Sequence, residues 1–283
     1  PTVARRLDRL GLRCCCVGFP ATWPPERLEH GVFLSGWDSP VAFEADRSFV
    51  WPPALHDAIV ERFGPTRFDD VDEFDADRPG WHEGLPQALA ERVARKAELA
   101  GWLLERERWD LFAFYFGESD TAAHHLWAHH DPASPRHPAQ AGALERDGLA
   151  RVYRALDAAV GALVARAGAD AEVTLVSDHG SGGAGATVLY LNRALADAGL
   201  LTFREAGPLA PLAGRAKDVA LTRLPGAARQ ALFTLAGRAL PGWVESRARF
   251  GAIDWARTRA FSDELNYFPS VSFNLRGREP RGT

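Results

Sequence analysis

Methionine is absent from this chain of 283 residues, and lysine is nearly absent, since Lys96 and Lys217 are its only lysines. The sequence opens on Pro1 rather than on an initiator Met, so we expect a processed product or an internal fragment. The cationic side chains are almost all arginine, and the formal net charge is −4 at pH 7. This slightly acidic balance gives no signal for binding to nucleic acid or to an anionic membrane surface.

Spaced cysteines and long apolar runs are also missing. The cysteines, Cys14 to Cys16, are consecutive, and neighbours on a strand point to opposite faces, so they are poorly placed to form a disulfide with one another. The lack of a CxxC motif or of an even cysteine framework favours a reducing compartment, and we expect a cytoplasmic location. No apolar run approaches the roughly 20 residues of a membrane-spanning helix, so we expect no membrane segment in this chain.

Apolar runs and helical periodicities alternate along the chain. WDLFAFYF (109–116) is a continuous apolar run, which is typical of a strand covered on both faces of a parallel sheet, and LRCCCVGF and residues 172–177 also predict buried strands. Apolar residues recur at three- and four-residue spacing over residues 85–108 and 138–167, which predicts two long helices. The alternation predicts an α/β fold, with a mostly parallel sheet sandwiched by helices.

The alternation breaks after residue 205. Residues 206–252 are rich in Arg, Ala and Leu, are punctuated by Pro225 and Pro241, and show no strand pattern. We interpret them as a helical insertion or cap. The core is therefore predicted over residues 1–205 and again over 253–283, where strand-like runs return and the chain stops without a closing element. On this interpretation the core is incomplete at both ends.

Aspartates follow two of the predicted buried strands. Asp120 comes shortly after WDLFAFYF, and Asp178 comes directly after VTLVS; in open α/β sheets, ligands bind outside the carboxyl ends of the strands. Asp120 and His124 are four residues apart, so they share one face of a helix that begins near Ser119. A carboxylate and an imidazole at this spacing can reach one ion, with bonds of roughly 2 Å for zinc. Asp178 and His179 can do the same in a glycine-rich turn.

Each pair is a weak signal alone, because a DxxxH pair is common on helices and SDHG can be a turn with an Asp cap. Their combination at two strand ends favours metal sites, with zinc or manganese as the ion. We interpret His129, His130 and His137 as a solvated face or loop. We interpret His125 as a residue that contacts either a metal ligand or the substrate. Trp127 is interpreted as a packing residue.

The stretches ESDTAAHHLWAHHDP and TLVSDHGSG, with flanking segments such as FPATWPP and IDWARTRAFS, resemble the alkaline phosphatase superfamily. The resemblance is to its type I phosphodiesterase/nucleotide pyrophosphatase-like branch of phosphohydrolases and phosphomutases, and it covers most of the chain in colinear order. It implies two divalent metal ions, usually zinc, on an alkaline-phosphatase-like α/β core. Asp120 and His124 would bind one ion, and Asp178 and His179 the other.

The resemblance also implies a Thr or Ser nucleophile, which we expect upstream of Pro1 together with a further metal-binding Asp. A last metal-binding His is expected beyond Thr283. The predicted function is hydrolysis of a small phosphodiester or a nucleotide pyrophosphate by the full-length protein, with this chain alone inactive. The alternatives are a phosphomonoesterase or phosphomutase of the same superfamily and a non-catalytic metal-binding scaffold. The sulfatase branch is not favoured, because its CxPxR-type motif is missing.

Overall fold

The computed structural model describes residues 2–36, 46–64, 76, 78–139, 142–204, 250–263, 270–280 and 282. The chain divides into two compact units, Pro1–Ala186 and Thr187–Thr283. Almost all of the predicted insertion at 206–252 lies outside the described residues, so it stays a prediction.

A mixed sheet of four strands forms the centre of the first unit in its described residues. The strands are β1 (Cys14–Val17), β2 (Gly31–Leu34), β3 (Val50–Trp51) and β4 (Leu111–Phe114), in the order β3-β2-β1-β4. β1 pairs in parallel with both β2 and β4, whereas β3 pairs antiparallel with β2. The sheet is therefore mostly parallel, as the alternating sequence pattern predicts.

Helices connect and cover these strands. They are α1 (Val3–Asp8), α2 (Ala54–Phe63), α3 (Trp81–Arg106), α4 (Glu118–His130) and α5 (Ala143–Ala167), with a short 3-10 helix at Arg47–Phe49. The helices α3 and α5 confirm the two long helices predicted from periodicity, with their first residues displaced by about one turn and their last residues by two or none. The α/β fold class is confirmed, since helices and a mostly parallel sheet share this unit.

Both faces of β1 are buried, and its side chains alternate between two hydrophobic clusters. Cys15 and Val17 face a cluster that β2, β3, α2 and α3 complete with Leu34, Val50, Leu55, Ile59, Leu99 and Leu103. Cys14 and Cys16 point to the opposite face, where they pack with Ala4, Leu28 and Phe33. The alternation explains why three consecutive cysteines occur here without forming a disulfide.

The buried cysteines give a direct test of this strand. Burial raises the pKa of the Cys14 thiol, raises that of Cys15 well above its ordinary value, and raises that of Cys16 to about 12. Because only the thiolate attacks, we expect almost no reaction of the native protein with a disulfide reagent at pH 8, and reaction of all three thiols in denaturant. Rapid native labelling of any of them would contradict the burial of β1.

The helices α3, α4 and α5 pack against one another through a second core. Its buried members are Leu85, Leu89, Ala122, Ala123, Leu126, Leu149 and Val152. Gly148 of α5 permits a close approach, since a Cβ there would lie 2.5 Å from Pro86 Cγ. This packing fixes the inward face of α4 through Ala122 and Leu126, which are one turn apart.

The prediction of a buried strand at residues 172–177 is wrong. These residues form no strand and are exposed, with Leu175 at 76% and Val176 at 86% of their full accessible surface. Their β-branched and apolar side chains suit a strand, but a strand also needs a neighbouring strand to accept and donate backbone hydrogen bonds. Among the described residues no such neighbour pairs with this segment, and the sheet ends at β4.

The second unit contains a short helix and a small two-stranded sheet in its described residues. They are α6 (Leu191–Asp197) and the antiparallel pair β5 (Ala260–Phe261) and β6 (Ser272–Phe273). Phe203 and Ile253 form one isolated antiparallel bridge. Across the described parts of both units, no helix is both long enough and apolar enough to span a membrane.

Candidate metal centre

The first half of the candidate site lies on α4. This helix begins at Glu118, so Asp120 is in its first turn and His124 follows one turn later. His124 Nε2 lies 3.6 Å from Asp120 Oδ2, and the two side chains are about half exposed, at 52% and 47%. A tetrahedral zinc ion with bonds of about 2 Å holds two donors about 3.3 Å apart, so this separation suits a shared ion.

The second half is formed by the adjacent residues Asp178 and His179. His179 Nε2 lies 3.9 Å from Asp178 Oδ1, and both side chains are exposed. His179 Nδ1 lies 2.9 Å from the carbonyl oxygen of Gly180, while the Ser177 hydroxyl donates to the carbonyl of His179 itself. A carbonyl only accepts, so Nδ1 carries the proton in this contact. In the neutral ring, Nε2 is then the nitrogen available to a metal.

Electrostatics links the two halves. The Gly180 carbonyl and then the Asp178 carboxylate raise the pKa of His179, burial opposes the rise, and Asp120 adds to it. Asp120 is thus close enough for its charge to act on His179, although 59 positions separate them in the sequence. Because a metal binds the neutral imidazole, protons compete with metal for His179 as the pH falls.

A packing contact also joins the two halves. A Cβ placed on Gly183 would lie 3.2 Å from both Cδ1 and Nε1 of Trp127 on α4. The turn that follows Asp178 and His179 therefore lies against the helix that carries Asp120. Trp127 itself packs against the core of α3, α4 and α5. The interpretation of Trp127 as a packing residue is supported, and its packing partner includes the glycine-rich turn.

The described residues do not bring three or more of the four predicted ligands together around one point. Among the described residues, no group of three or more His, Cys, Asp or Glu side chains is arranged to hold a metal ion. Zinc takes four ligands, and each pair supplies two. The donor types and the separation within each pair therefore fit a divalent metal ion. Each pair forms half of a site, and the described residues do not supply a complete set of ligands.

Of the remaining histidines of α4, His125 and His129 are partly buried and His130 is exposed. The His125 ring lies 4.8 Å from the ring of Trp81, and the His129 ring lies 5.2 Å from that of His82. The interpretation of His129 as part of a solvated face is therefore wrong, because the start of α3 covers it. His130 is exposed, as that interpretation requires, with Nδ1 3.1 Å from the carbonyl oxygen of Arg146.

A buried ion pair next to the site was missed in the sequence. Glu118, the first residue of α4, is fully buried, and its Oε1 lies 2.7 Å from Nζ of Lys96 on α3. A signal for it exists, because Lys96 falls three residues after Val93 and four before Ala100, within the apolar stripe of the predicted helix. A charged residue on such a stripe needs a buried partner of opposite charge.

Comparison with known proteins gives one family. Residues 6–244 match the family model of type I phosphodiesterase / nucleotide pyrophosphatase. The matched range includes both aspartate–histidine pairs and the Lys96–Glu118 ion pair. No curated protein and no solved structure matches the chain.

Proposed function

Because the chain belongs to the type I phosphodiesterase / nucleotide pyrophosphatase family, we propose that it forms part of a metal-dependent hydrolase of phosphodiesters or nucleotide pyrophosphates. The family supports a hydrolase of this type. Metal dependence is supported by one observation, the two carboxylate–imidazole pairs with separations of 3.6 Å and 3.9 Å. Asp120 contributes to the raised pKa of His179, so the two pairs lie within electrostatic reach of each other.

In this proposal Asp120 and His124 hold one divalent cation, and Asp178 and His179 hold a second. Zinc suits these donors best, and manganese is the alternative. When bound, such ions neutralise phosphoryl charge and activate the attacking oxygen. The nucleophilic Thr or Ser, expected upstream of Pro1, stays a prediction.

The chain's own groups prepare the ligands. The Gly180 carbonyl accepts the hydrogen bond from His179 Nδ1 and so turns Nε2 toward a ligand. The first turn of α4 presents the Asp120 carboxylate to solvent, where a small phosphate ester or nucleotide can reach it. The side chains of both pairs are between about half and almost fully exposed, so a solute can reach them.

The test compares substrates in the full-length protein, with the coding sequence on both sides of this chain included. We expect bis(4-nitrophenyl) phosphate to be hydrolysed at least about tenfold faster than 4-nitrophenyl phosphate, a difference of about 1.4 kcal/mol in activation free energy. A chelator should abolish this activity, and added zinc or manganese should restore it. Faster monoester hydrolysis would favour the phosphomonoesterase, and metal binding without hydrolysis of either substrate would favour the scaffold.

A further inference from the structure

The ion pair between α3 and α4 is the most deeply buried charged group in the described residues near the site. The Glu118 side chain is fully buried and that of Lys96 is 6% exposed, with Nζ 2.7 Å from Oε1. Arg92, one turn before Lys96 on α3, brings its Nε to 4.0 Å from the same oxygen and is 12% exposed. Two cationic side chains of α3 therefore face one carboxylate at the start of α4.

This pair is poorly suited to a purely stabilising role. Lys96 Nζ lies 2.7 Å from Oε1, yet neither carboxylate oxygen of Glu118 accepts a hydrogen bond from the described residues. Taking both charges out of water is costly, and apolar side chains of similar volume often give equal or greater stability. What such a pair can supply is a defined position, because a buried carboxylate tolerates little displacement away from the cations that face it.

The position that the pair fixes is the first turn of α4. Successive residues of a helix are about 100° apart, so Asp120 points about 200° away from Glu118 and His124 about 240° away. Glu118 therefore faces α3, while Asp120 and His124 face the opposite side, where both are about half exposed. Glu118 cannot share an ion with them from there, but it can set the rotation and axial position of the turn that carries them.

We propose that the buried Lys96–Glu118 pair, with Arg92 beside it, is a positioning device for Asp120 and His124. It anchors the first turn of α4 to α3 and so fixes where the carboxylate and the imidazole lie relative to the glycine-rich turn that follows Asp178 and His179 and packs against Trp127. The inference rests on the proposed function, since it assigns metal binding to Asp120 and His124. Glu118 and Lys96 are positioning residues in it, because they act through α4 and touch neither metal nor substrate.

The experiment measures zinc affinity by competition with a chromophoric chelator, and the melting temperature of the metal-free protein, in the full-length chain. Lys96→Met removes the nearer of the two cations and leaves the buried carboxylate with Arg92 alone, 4.0 Å away, so it should lower the melting temperature by more than about 5 °C. The double variant Lys96→Met/Glu118→Met removes both charges and should recover the melting temperature. Its zinc affinity should stay about tenfold or more below that of the wild type, as for other residues that orient metal ligands.

Further variants separate the outcomes. Lys96→Arg keeps the positive charge and should bind zinc nearly as the wild type does. If the double variant does not fold, Glu118→Gln tests instead whether the charge of the carboxylate is needed for zinc affinity. Arg47→Met breaks an exposed ion pair with Asp57 and should change neither quantity. A double variant with wild-type melting temperature and wild-type zinc affinity would overturn the positioning role alone. Zinc binding that is undetectable, or unchanged by Asp120→Asn, would overturn the metal centre and this inference together.

Discussion

Replacing His124 or Asp178 with alanine is expected to lower kcat/KM of the full-length protein on a bis-aryl phosphodiester by at least about 100-fold. Each substitution removes one of the two donors of its half-site. Residues that merely orient metal ligands already contribute 10- to 100-fold, so the loss of a ligand should cost no less. Steady-state kinetics at saturating zinc, followed by the same measurement in manganese, gives the result.

The controls lie close to the substituted residues. His130→Ala removes an exposed imidazole from the same helix, and Asp170→Ala removes an exposed carboxylate upstream of Asp178. Both should retain activity close to that of the wild type. If the two half-sites act as one centre, the double variant His124→Ala/Asp178→Ala should lose little more than either single variant. Wild-type turnover in either single variant would refute the assignment of these ligands.

The elements that could be predicted from the sequence are those whose local pattern agrees with their packing. β1 is an apolar run in the middle of a sheet, and α3 has an apolar stripe over most of its length, so both follow from periodicity. The pairing of Asp120 with His124 follows in the same way, because a spacing of four on a helix fixes their common face. Each of these features depends on residues close together in the sequence.

The features that could not be predicted depend on partners far away in the sequence. Residues 172–177 have the composition of a strand, but whether a strand forms depends on an adjacent sheet edge, which composition does not reveal. The partner of Lys96 is Glu118, 22 positions away, and the choice depends on how α3 and α4 pack. The contact of Trp127 with Gly183 has the same origin, since only the fold brings the glycine-rich turn to α4.

That contact leads to the second large expected effect. Gly183→Ala should lower diesterase activity of the full-length protein by about tenfold or more. The new methyl group would lie 3.2 Å from Cδ1 and Nε1 of Trp127, closer than carbon atoms normally pack. Trp127 is held by the core of α3, α4 and α5, so the turn rather than the indole should move. A shift of about 1 Å in Asp178 and His179 is enough for a loss of up to 100-fold.

The neighbouring glycine supplies a matched control. A Cβ on Gly182 would meet no atom within 4 Å, and neither glycine has a positive φ, so Gly182→Ala changes the same turn without the contact. It should keep activity and zinc affinity close to those of the wild type. Trp127→Phe in the Gly183→Ala background shortens the ring system and should recover part of the loss. Equal effects of the two alanine substitutions would show that the turn, and not its contact with α4, positions Asp178 and His179.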